Sequence, residues 1–142
     1  MSTLRQQSSY LEFETHGPGL YEITTSVTRW ASTTGVNEGL LTLFIRHTSA
    51  SLLIQENADP AVQTDLSAYF DRIAPEDPAR YMHRSEGPDD MPAHLRAALT
   101  QTHLSIPIMG GQPAIGTWQG IYLFEHRNQP HQRTVAVHLL GD

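Results

Sequence analysis

Apolar residues recur at every second position in several stretches of this chain, and this alternation limits the fold more than any other feature. A period of two is typical of β-strands that bury one face and expose the other. The pattern predicts strands over residues 10–15, 40–48, 52–54, 103–108, 116–127 and 133–140. Residues 128–131, which include Pro130, are interpreted as a hairpin turn between the last two strands.

Helix signals lie between these strands. Asp59 followed by Pro60 has the form of an N-cap and a first helical residue, and it predicts the clearest helix. The buried stripe of that helix is expected to consist of Val62, Leu66, Tyr69, Phe70 and Ile73. Another helix is predicted over residues 91–100, with Asp90 as its cap. A further helix, capped by Thr24 or Thr25, carries Val27, Trp30 and Ala31.

The composition narrows the possible classes of protein. With 142 residues and no repeats or linkers, the chain is predicted to form one domain over residues 1–142. The absence of cysteine excludes disulfides and zinc sites with sulfur ligands. A formal net charge of −6 argues against general nucleic-acid binding, which needs a basic surface. Neither a membrane span nor a signal-peptide core is evident, so we expect no membrane partner and a cytoplasmic location.

Residues 83–94 concentrate the side chains that can carry chemistry. His83, Glu86, Asp89, Asp90 and His94 are spread over a Gly-Pro turn and the start of a helix. His94 follows Asp90 by four residues, so both side chains share one helix face. Such a group can bind a divalent cation or transfer protons to and from a substrate. The alternative is that the acids cap the helix and the histidines are ordinary surface residues.

The predicted strand over residues 40–48 carries another histidine. His47 continues the apolar face formed by Leu41, Leu43 and Ile45, so it either points into a pocket or is a core residue bonded to a carbonyl. The hydroxyls of Ser49 and Ser51 suit a phosphate or another polar ligand.

Imidazoles from His47, His83 and His94 around one ion would favour Zn²⁺, Ni²⁺ or Fe²⁺ over Mg²⁺. An open fourth position would then permit hydrolysis of a phosphate or amide bond. A metal-dependent hydrolase using these histidines is therefore one hypothesis. A serine hydrolase is disfavoured because no G-x-S-x-G motif is present.

Taken together, several blocks of residues resemble the YjbQ-like family, formerly a family of unknown function. The blocks are residues 46–51 with 55–60, residues 83–94, and residues 116–123 with Glu125 and Arg127. One departure is Asp90, where the family usually has Asn before Met-Pro-Ala-His. The extra carboxylate is expected either to tighten cation binding or to disturb the protonation of its neighbours.

The resemblance implies an α+β fold, a compact domain of mainly antiparallel or mixed β-sheet with about three helices, assembled as a homotrimer. It also implies a weak, secondary thiamine-phosphate synthase activity. Such a transferase joins a pyrimidine diphosphate to a thiazole phosphate and releases pyrophosphate. Departure of pyrophosphate needs positive charge, so the expected cofactor is a divalent metal, either Mg²⁺ or a transition metal such as Zn²⁺.

The site residues of this hypothesis come from every block. The catalytic candidates are His47, Glu56, His83, Glu86 and His94, and the substrate-binding candidates are Ser49, Ser51, Asn57, Trp118, Gln119, Glu125 and Arg127. Glu56 or Glu86 would orient or deprotonate the pyrimidine amine, while Arg127 and Arg133 would pair with phosphate. Trp118 or Tyr122 would stack on a ring. The non-enzymatic alternative is a trimeric module that binds a small phosphorylated or anionic metabolite.

Overall fold

Two antiparallel sheets face each other in the computed structural model, which describes residues 3–142. The strands are β1 (Arg5–Thr15), β2 (Gly19–Glu22), β3 (Gly39–Ile45), β4 (Ala50–Glu56), β5 (His103–Met109), β6 (Gln112–Pro113), β7 (Gln119–Glu125) and β8 (His131–Gly141). The α-helices are α1 (Thr24–Thr33), α2 (Pro60–Ile73) and α3 (Asp90–Leu99), and a short 3₁₀ turn spans Pro78–Arg80. The expected α+β fold is confirmed.

The larger sheet has the strand order β1-β8-β3-β5-β6, and the smaller one has the order β2-β7-β4. The core lies between them, because alternate residues of β3, β5 and β8 face alternate residues of β4 and β7. The alternation predicted in the sequence is confirmed in β3 and β8, whose buried apolar side chains are Leu41, Leu43, Ile45, Val135, Val137 and Leu139. Burying these side chains contributes to the hydrophobic driving force for folding.

The predicted hairpin over residues 128–131 is wrong. β7 pairs with β2 and β4, whereas β8 pairs with β1 and β3, so the connection between β7 and β8 crosses from one sheet to the other. Alternation is visible in β8, whereas β7 is buried along almost its whole length, and neither pattern specifies the partner strand. The pattern of single strands therefore left their pairing undetermined.

α2 and α3 cover the outer face of the smaller sheet, whereas α1 packs its buried residues Val27 and Ala31 into the core between the sheets. Phe70 on α2 packs edge-to-face on Phe124 of β7, with ring centroids 5.4 Å apart. Asp59 caps α2 as predicted, because its Oδ1 accepts the N–H of Ala61 at 2.9 Å. The predicted buried stripe of α2 is wrong at Tyr69 and Ile73, which are 48% and 42% exposed. The helix buries a narrower face than its sequence indicates, since it lies on a sheet of only three strands.

A buried ion pair crosses the core between the sheets. Glu125, at the end of β7, is fully buried, and both carboxylate oxygens bond the guanidinium of Arg133 on β8. Thr15 of β1 donates its hydroxyl to the same carboxylate at 2.5 Å. The Arg133 guanidinium also donates to the carbonyl oxygen of Ser49, just before β4. Four segments of the chain are thereby joined at one end of the domain.

His126 follows Glu125 and is buried on the opposite, helix-covered side of β7. Its Nε2 lies 2.9 Å from the hydroxyl oxygen of Ser51, which in turn accepts a hydrogen bond from Thr100 at 2.6 Å. Burial, reinforced by the positive charge of Arg96, lowers the pKa of the His126 imidazole from 6.5 to about 3. The folded protein therefore holds this ring neutral where an unfolded chain would protonate it.

Within residues 3–142, no helix combines the length and the apolar composition that crossing a bilayer would require. The cytoplasmic location stays a prediction.

Removing either partner of the Glu125–Arg133 pair should strongly destabilise the fold, because the remaining charge is buried without compensation. We expect Glu125→Gln and Arg133→Met each to lower the free energy of unfolding by about 3–5 kcal/mol in urea denaturation. The double variant should lose less than the sum of the single variants. If the loss in the double variant equalled the sum of the two single losses, the proposed pairing would be contradicted.

Because the buried His126 imidazole stays neutral in the folded protein, we predict that mild acidification lowers its stability. The unfolded chain takes up a proton below about pH 6.5 and the folded chain only near pH 3, so the free energy of unfolding falls as the pH decreases through this window. The contribution from one such group reaches about 1.4 kcal/mol per pH unit. Urea denaturation between pH 7 and 4.5 should show a shallower slope for His126→Gln, whereas the exposed His16→Gln should match the wild type. Equal slopes for His126→Gln and the wild type would refute this account.

Candidate metal centre

The first turn of α3 positions two of the residues that form this site. Asp90 is the first residue of the helix, and His94 lies one turn later on the same face. His83 comes from the loop between the 3₁₀ turn and α3, which folds back over the helix start. Gly87 permits this fold-back because its φ of +102° is a conformation that residues with a Cβ rarely adopt.

The side chains of His83, Asp90 and His94 converge on a single carboxylate oxygen. Nε2 of His83 lies 2.7 Å from Oδ2 of Asp90, and Nε2 of His94 lies 3.0 Å from the same atom. Their possible ligand atoms all lie within 4.8 Å of one another. The Asp90 side chain is 3% exposed, whereas those of His83 and His94 are 40% and 33% exposed. The carboxylate thus forms the floor of the site, and the imidazoles form its open rim.

The surroundings of His94 constrain its chemistry. Its Nδ1 lies 3.2 Å from the carbonyl oxygen of Thr48, and its Nε2 faces the Asp90 carboxylate, so both ring nitrogens meet acceptors. A neutral imidazole carries one N–H and can satisfy only one of them. Both contacts are satisfied by a protonated ring, or by a ring that donates Nδ1–H to Thr48 while Nε2 and Asp90 share a cation. The second arrangement is usual for histidine ligands of metals.

Arg127 fixes the Asp90 carboxylate from the other side. Its Nη1 donates to Oδ1 of Asp90 at 2.5 Å, and its Nε donates to Oδ2 of Asp89 at 2.9 Å. Its remaining nitrogen donates to the carbonyl oxygen of Glu86 at 3.0 Å. Because Oδ1 of Asp90 is occupied by the guanidinium, only Oδ2 is directed at the histidines.

These contacts keep the carboxylates ionised. Burial, the largest influence, would raise the pKa of Asp90, but the bond to His83 and the charges of His94 and Arg127 hold it below its usual value. The pKa of Asp89 is lowered in the same way, since the N–H of Asn128 and the Arg127 side chain outweigh the effect of burial. At neutral pH, the site therefore presents a negatively charged oxygen beside two imidazoles.

The expected set of metal ligands included His47, which the structure does not bring into this group. The Nε2 of His47 accepts the backbone N–H of Thr134 at 2.8 Å, because β3 is paired with β8 as far as Ile45 and Val135, and His47 lies just beyond that pair. Burial, followed by the charge of Arg133, lowers the pKa of His47. Its ring lines a separate open cleft of about 670 Å³ together with Thr48 and Ser49.

Other predicted site residues near this end are held in structural bonds. Ser49 and Glu125 bond the buried Arg133, and Ser51 bonds His126. Glu86 is exposed and contributes its carbonyl oxygen to Arg127. The roles assigned to these side chains stay predictions.

A further group of predicted site residues lies at the opposite end of the smaller sheet. Glu56 pairs with Gln119 at one end of β4 and β7, whereas Ala50 pairs with Glu125 at the other end. Six residue steps of ~3.3 Å separate those ends by roughly 20 Å. Glu56 accepts the N–H of Asp59 at 2.7 Å, and Asn57 donates to the carbonyl oxygen of Thr117 at 3.1 Å. Trp118, beside them, is 66% exposed.

Sequence reasoning placed Asp90 on one helix face with His94, in a group that can bind a cation, and also expected Asp90 to cap the helix. Asp89 is the N-cap residue instead, and it anchors Arg127. No local signal indicates the Asp89–Arg127 pair, because 37 residues lie between its members.

Comparison with known proteins gives consistent matches. A family model described as "UPF0047 protein YjbQ-like" matches residues 9–142. A UPF0047 protein of Synechocystis sp. is 51% identical over 141 residues, which cover 99% of this chain and 96% of the relative. The UPF0047 protein YjbQ of Escherichia coli O157:H7 is 45% identical over 107 residues, covering 75% of this chain and 77% of the relative.

A solved structure from Sulfolobus solfataricus, described as a YbjQ-like protein of unknown function, has the same fold. The TM-score is 0.85, with 97% of this chain and 100% of that chain covered, at 20% sequence identity. At this level of identity, the likeness concerns the fold alone.

The expected thiamine-phosphate synthase activity is wrong. It came from the resemblance alone, and the similar proteins are named only as UPF0047 proteins, without an activity. The Sulfolobus protein is described as having unknown function. The transferase assignment loses its support for the same reason. The alternative hydrolase also fails as described, since His47 does not join His83 and His94 in this chain.

Proposed function

The chain belongs to the UPF0047 YjbQ-like family, whose matched members are named without an activity, and we propose from its own site that it binds a divalent transition-metal ion. The ligands are Nε2 of His83, Oδ2 of Asp90 and Nε2 of His94. The remaining coordination positions, open to solvent, hold a small anionic molecule. The observation that carries this proposal is the convergence of both imidazole nitrogens on one carboxylate oxygen.

The donor set favours a transition metal over Mg²⁺. Two imidazoles and one carboxylate suit Zn²⁺ or Fe²⁺, whereas Mg²⁺ prefers oxygen ligands and retains several waters. Since Oδ1 of Asp90 bonds Arg127, the carboxylate can supply one oxygen to the ion. Monodentate carboxylate coordination is compatible with a tetrahedral or a facial arrangement.

The distances from Asp90 to the two histidines require only a small adjustment on binding, and the two imidazole nitrogens lie within 4.8 Å of each other. Ligand atoms around tetrahedral zinc lie ~3.3 Å apart, as follows from bond lengths of ~2.0 Å. The observed separations of 2.7 and 3.0 Å are shorter by a few tenths of an ångström. Small rotations of the partly exposed histidines can open this gap, while Asp90 stays fixed by Arg127.

Charge favours an anion as the additional ligand. A divalent ion and the Asp90 carboxylate leave one net positive charge at the rim, where the imidazoles are partly exposed. The three protein ligands leave positions that water or an oxyanion can occupy, as in catalytic rather than structural metal sites. The proposed small-molecule partner is therefore anionic.

We also propose that copies of this chain associate through the outer face of the larger sheet, as the homotrimer that the family resemblance implies. No helix of residues 3–142 covers this face, which exposes Tyr10, Leu40, Phe44 and Leu140. The groove of about 370 Å³ between Tyr10 and Phe44 has no Asp, Glu, Lys or Arg in its described lining. The guanidinium of Arg46 lies over the Tyr10 ring at 4.9 Å beside this groove. An exposed apolar surface of this kind suits contact with other copies of the chain arranged around a three-fold axis.

Metal binding should depend on the converging histidines. After treatment with a chelator, the wild-type protein should bind one Zn²⁺ per chain in isothermal titration calorimetry. His83→Ala combined with His94→Ala should weaken binding on the order of 100-fold or more, because two of three ligands are lost. His16→Ala, which removes an exposed histidine outside the group, is the matched control. Unchanged Zn²⁺ affinity in the double variant would refute the site.

Self-association should depend on the apolar sheet face. Light scattering coupled to size-exclusion chromatography should give the mass of three chains for the wild type. Phe44→Glu should give smaller species, because association would bury an unpaired charge. Trp118→Glu places the same charge on an exposed aromatic residue elsewhere and should keep the wild-type mass. A monomeric wild type, or an unaltered Phe44→Glu variant, would contradict the proposal.

A further inference from the structure

A small cavity opens beside His83, on the side of the loop that leads into α3. Its volume is about 240 Å³, and it is lined by Pro78, Tyr81, His83, Arg84, Gly87 and Pro88. His83 belongs both to this cavity and to the proposed metal site. A molecule held in the cavity is therefore adjacent to a ligand of the metal.

The walls of the cavity are mostly flat and apolar. Tyr81 contributes its ring, and Pro78 and Pro88 contribute theirs. The hydroxyl of Tyr81 donates to the carbonyl oxygen of Pro75 at 2.8 Å, so the ring has a fixed orientation. A planar apolar group fits such walls better than a branched or hydrated one.

The cavity also carries a positive charge. Arg84 is exposed and forms no hydrogen bond or ion pair with any other residue between 3 and 142, whereas Arg80 in the same region pairs with Asp77 at 3.5 Å. A free guanidinium at the mouth of an apolar cavity favours a carboxylate, which it can bind with two parallel hydrogen bonds.

We propose that this cavity binds the ring of a small aromatic carboxylate whose charged group interacts with Arg84 and with the metal ion at His83. The proposal rests on the metal site described above. The volume is below the range of ~300–1,000 Å³ typical of drug-sized ligands, which favours one ring and excludes nucleotides. The apolar walls account for the ring, and Arg84 with the cation accounts for the carboxylate.

Cobalt-loaded protein provides the test, because the absorption bands of Co²⁺ report changes in its coordination. Co²⁺ binding is measured first, without any anion. Benzoate and acetate are then titrated separately, and benzoate should bind about tenfold more tightly, since only its ring fills the cavity. Tyr81→Ala should reduce the preference for benzoate over acetate. An unchanged affinity of this variant for Co²⁺ would show that the metal site is intact.

The role of Arg84 is tested with a matched pair of variants. Arg84→Gln should weaken benzoate binding about tenfold and leave the affinity for Co²⁺ unchanged, whereas Arg80→Gln should alter neither. If Co²⁺ binds but benzoate binds no better than acetate, or Arg84→Gln has no effect, this inference is wrong and the metal site stands. If Co²⁺ does not bind, both are wrong.

Discussion

The buried pair between Glu125 and Arg133 is the interaction on which the rest of this structure depends. It lies at the end of the core where β1, β7, β8 and the start of β4 meet, and every polar atom of the Glu125 carboxylate is engaged. An unpaired charge in this position would be costly, so the pair fixes the register between the two sheets at this end. It also determines where β7 stops, because Glu125 accepts the N–H groups of His126 and Arg127.

That termination directs Arg127, two residues after Glu125, toward the candidate metal centre. Arg127 leaves the strand on the far side from the core and reaches both Asp89 and Asp90 at the start of α3. One oxygen of Asp90 is neutralised by this contact, and the other faces His83 and His94. A connected series of charged contacts thus runs from the interior of the domain to the exposed imidazoles, and a rigid interior positions a partly open site.

The polar residues at the two ends of the smaller sheet have different roles. Near Glu56 and Gln119, the polar side chains cap α2 and tie its loop to the start of β7, which are structural bonds. Near Asp90, both ring nitrogens of His94 face acceptors, and a neutral imidazole can donate to only one of them. The family comparison supplies no activity, so this local excess of acceptors is the strongest functional feature of the chain.

The amino-acid sequence by itself determined most of the elements and the buried faces of β3 and β8. Alternation placed Leu41, Leu43, Val135 and Val137 in the core, and Asp59-Pro60 marked the start of α2, because these signals depend on neighbours along the chain. It also indicated that His83, Asp90 and His94 are close, since a turn and one helical step separate them. Only the tertiary structure decided that β7 and β8 lie in different sheets, that His47 turns toward Thr134, and that Arg127 holds Asp90. Those outcomes depend on contacts between residues 37 or more positions apart. The hydrophobic pattern of a single strand does not indicate which other strand it pairs with.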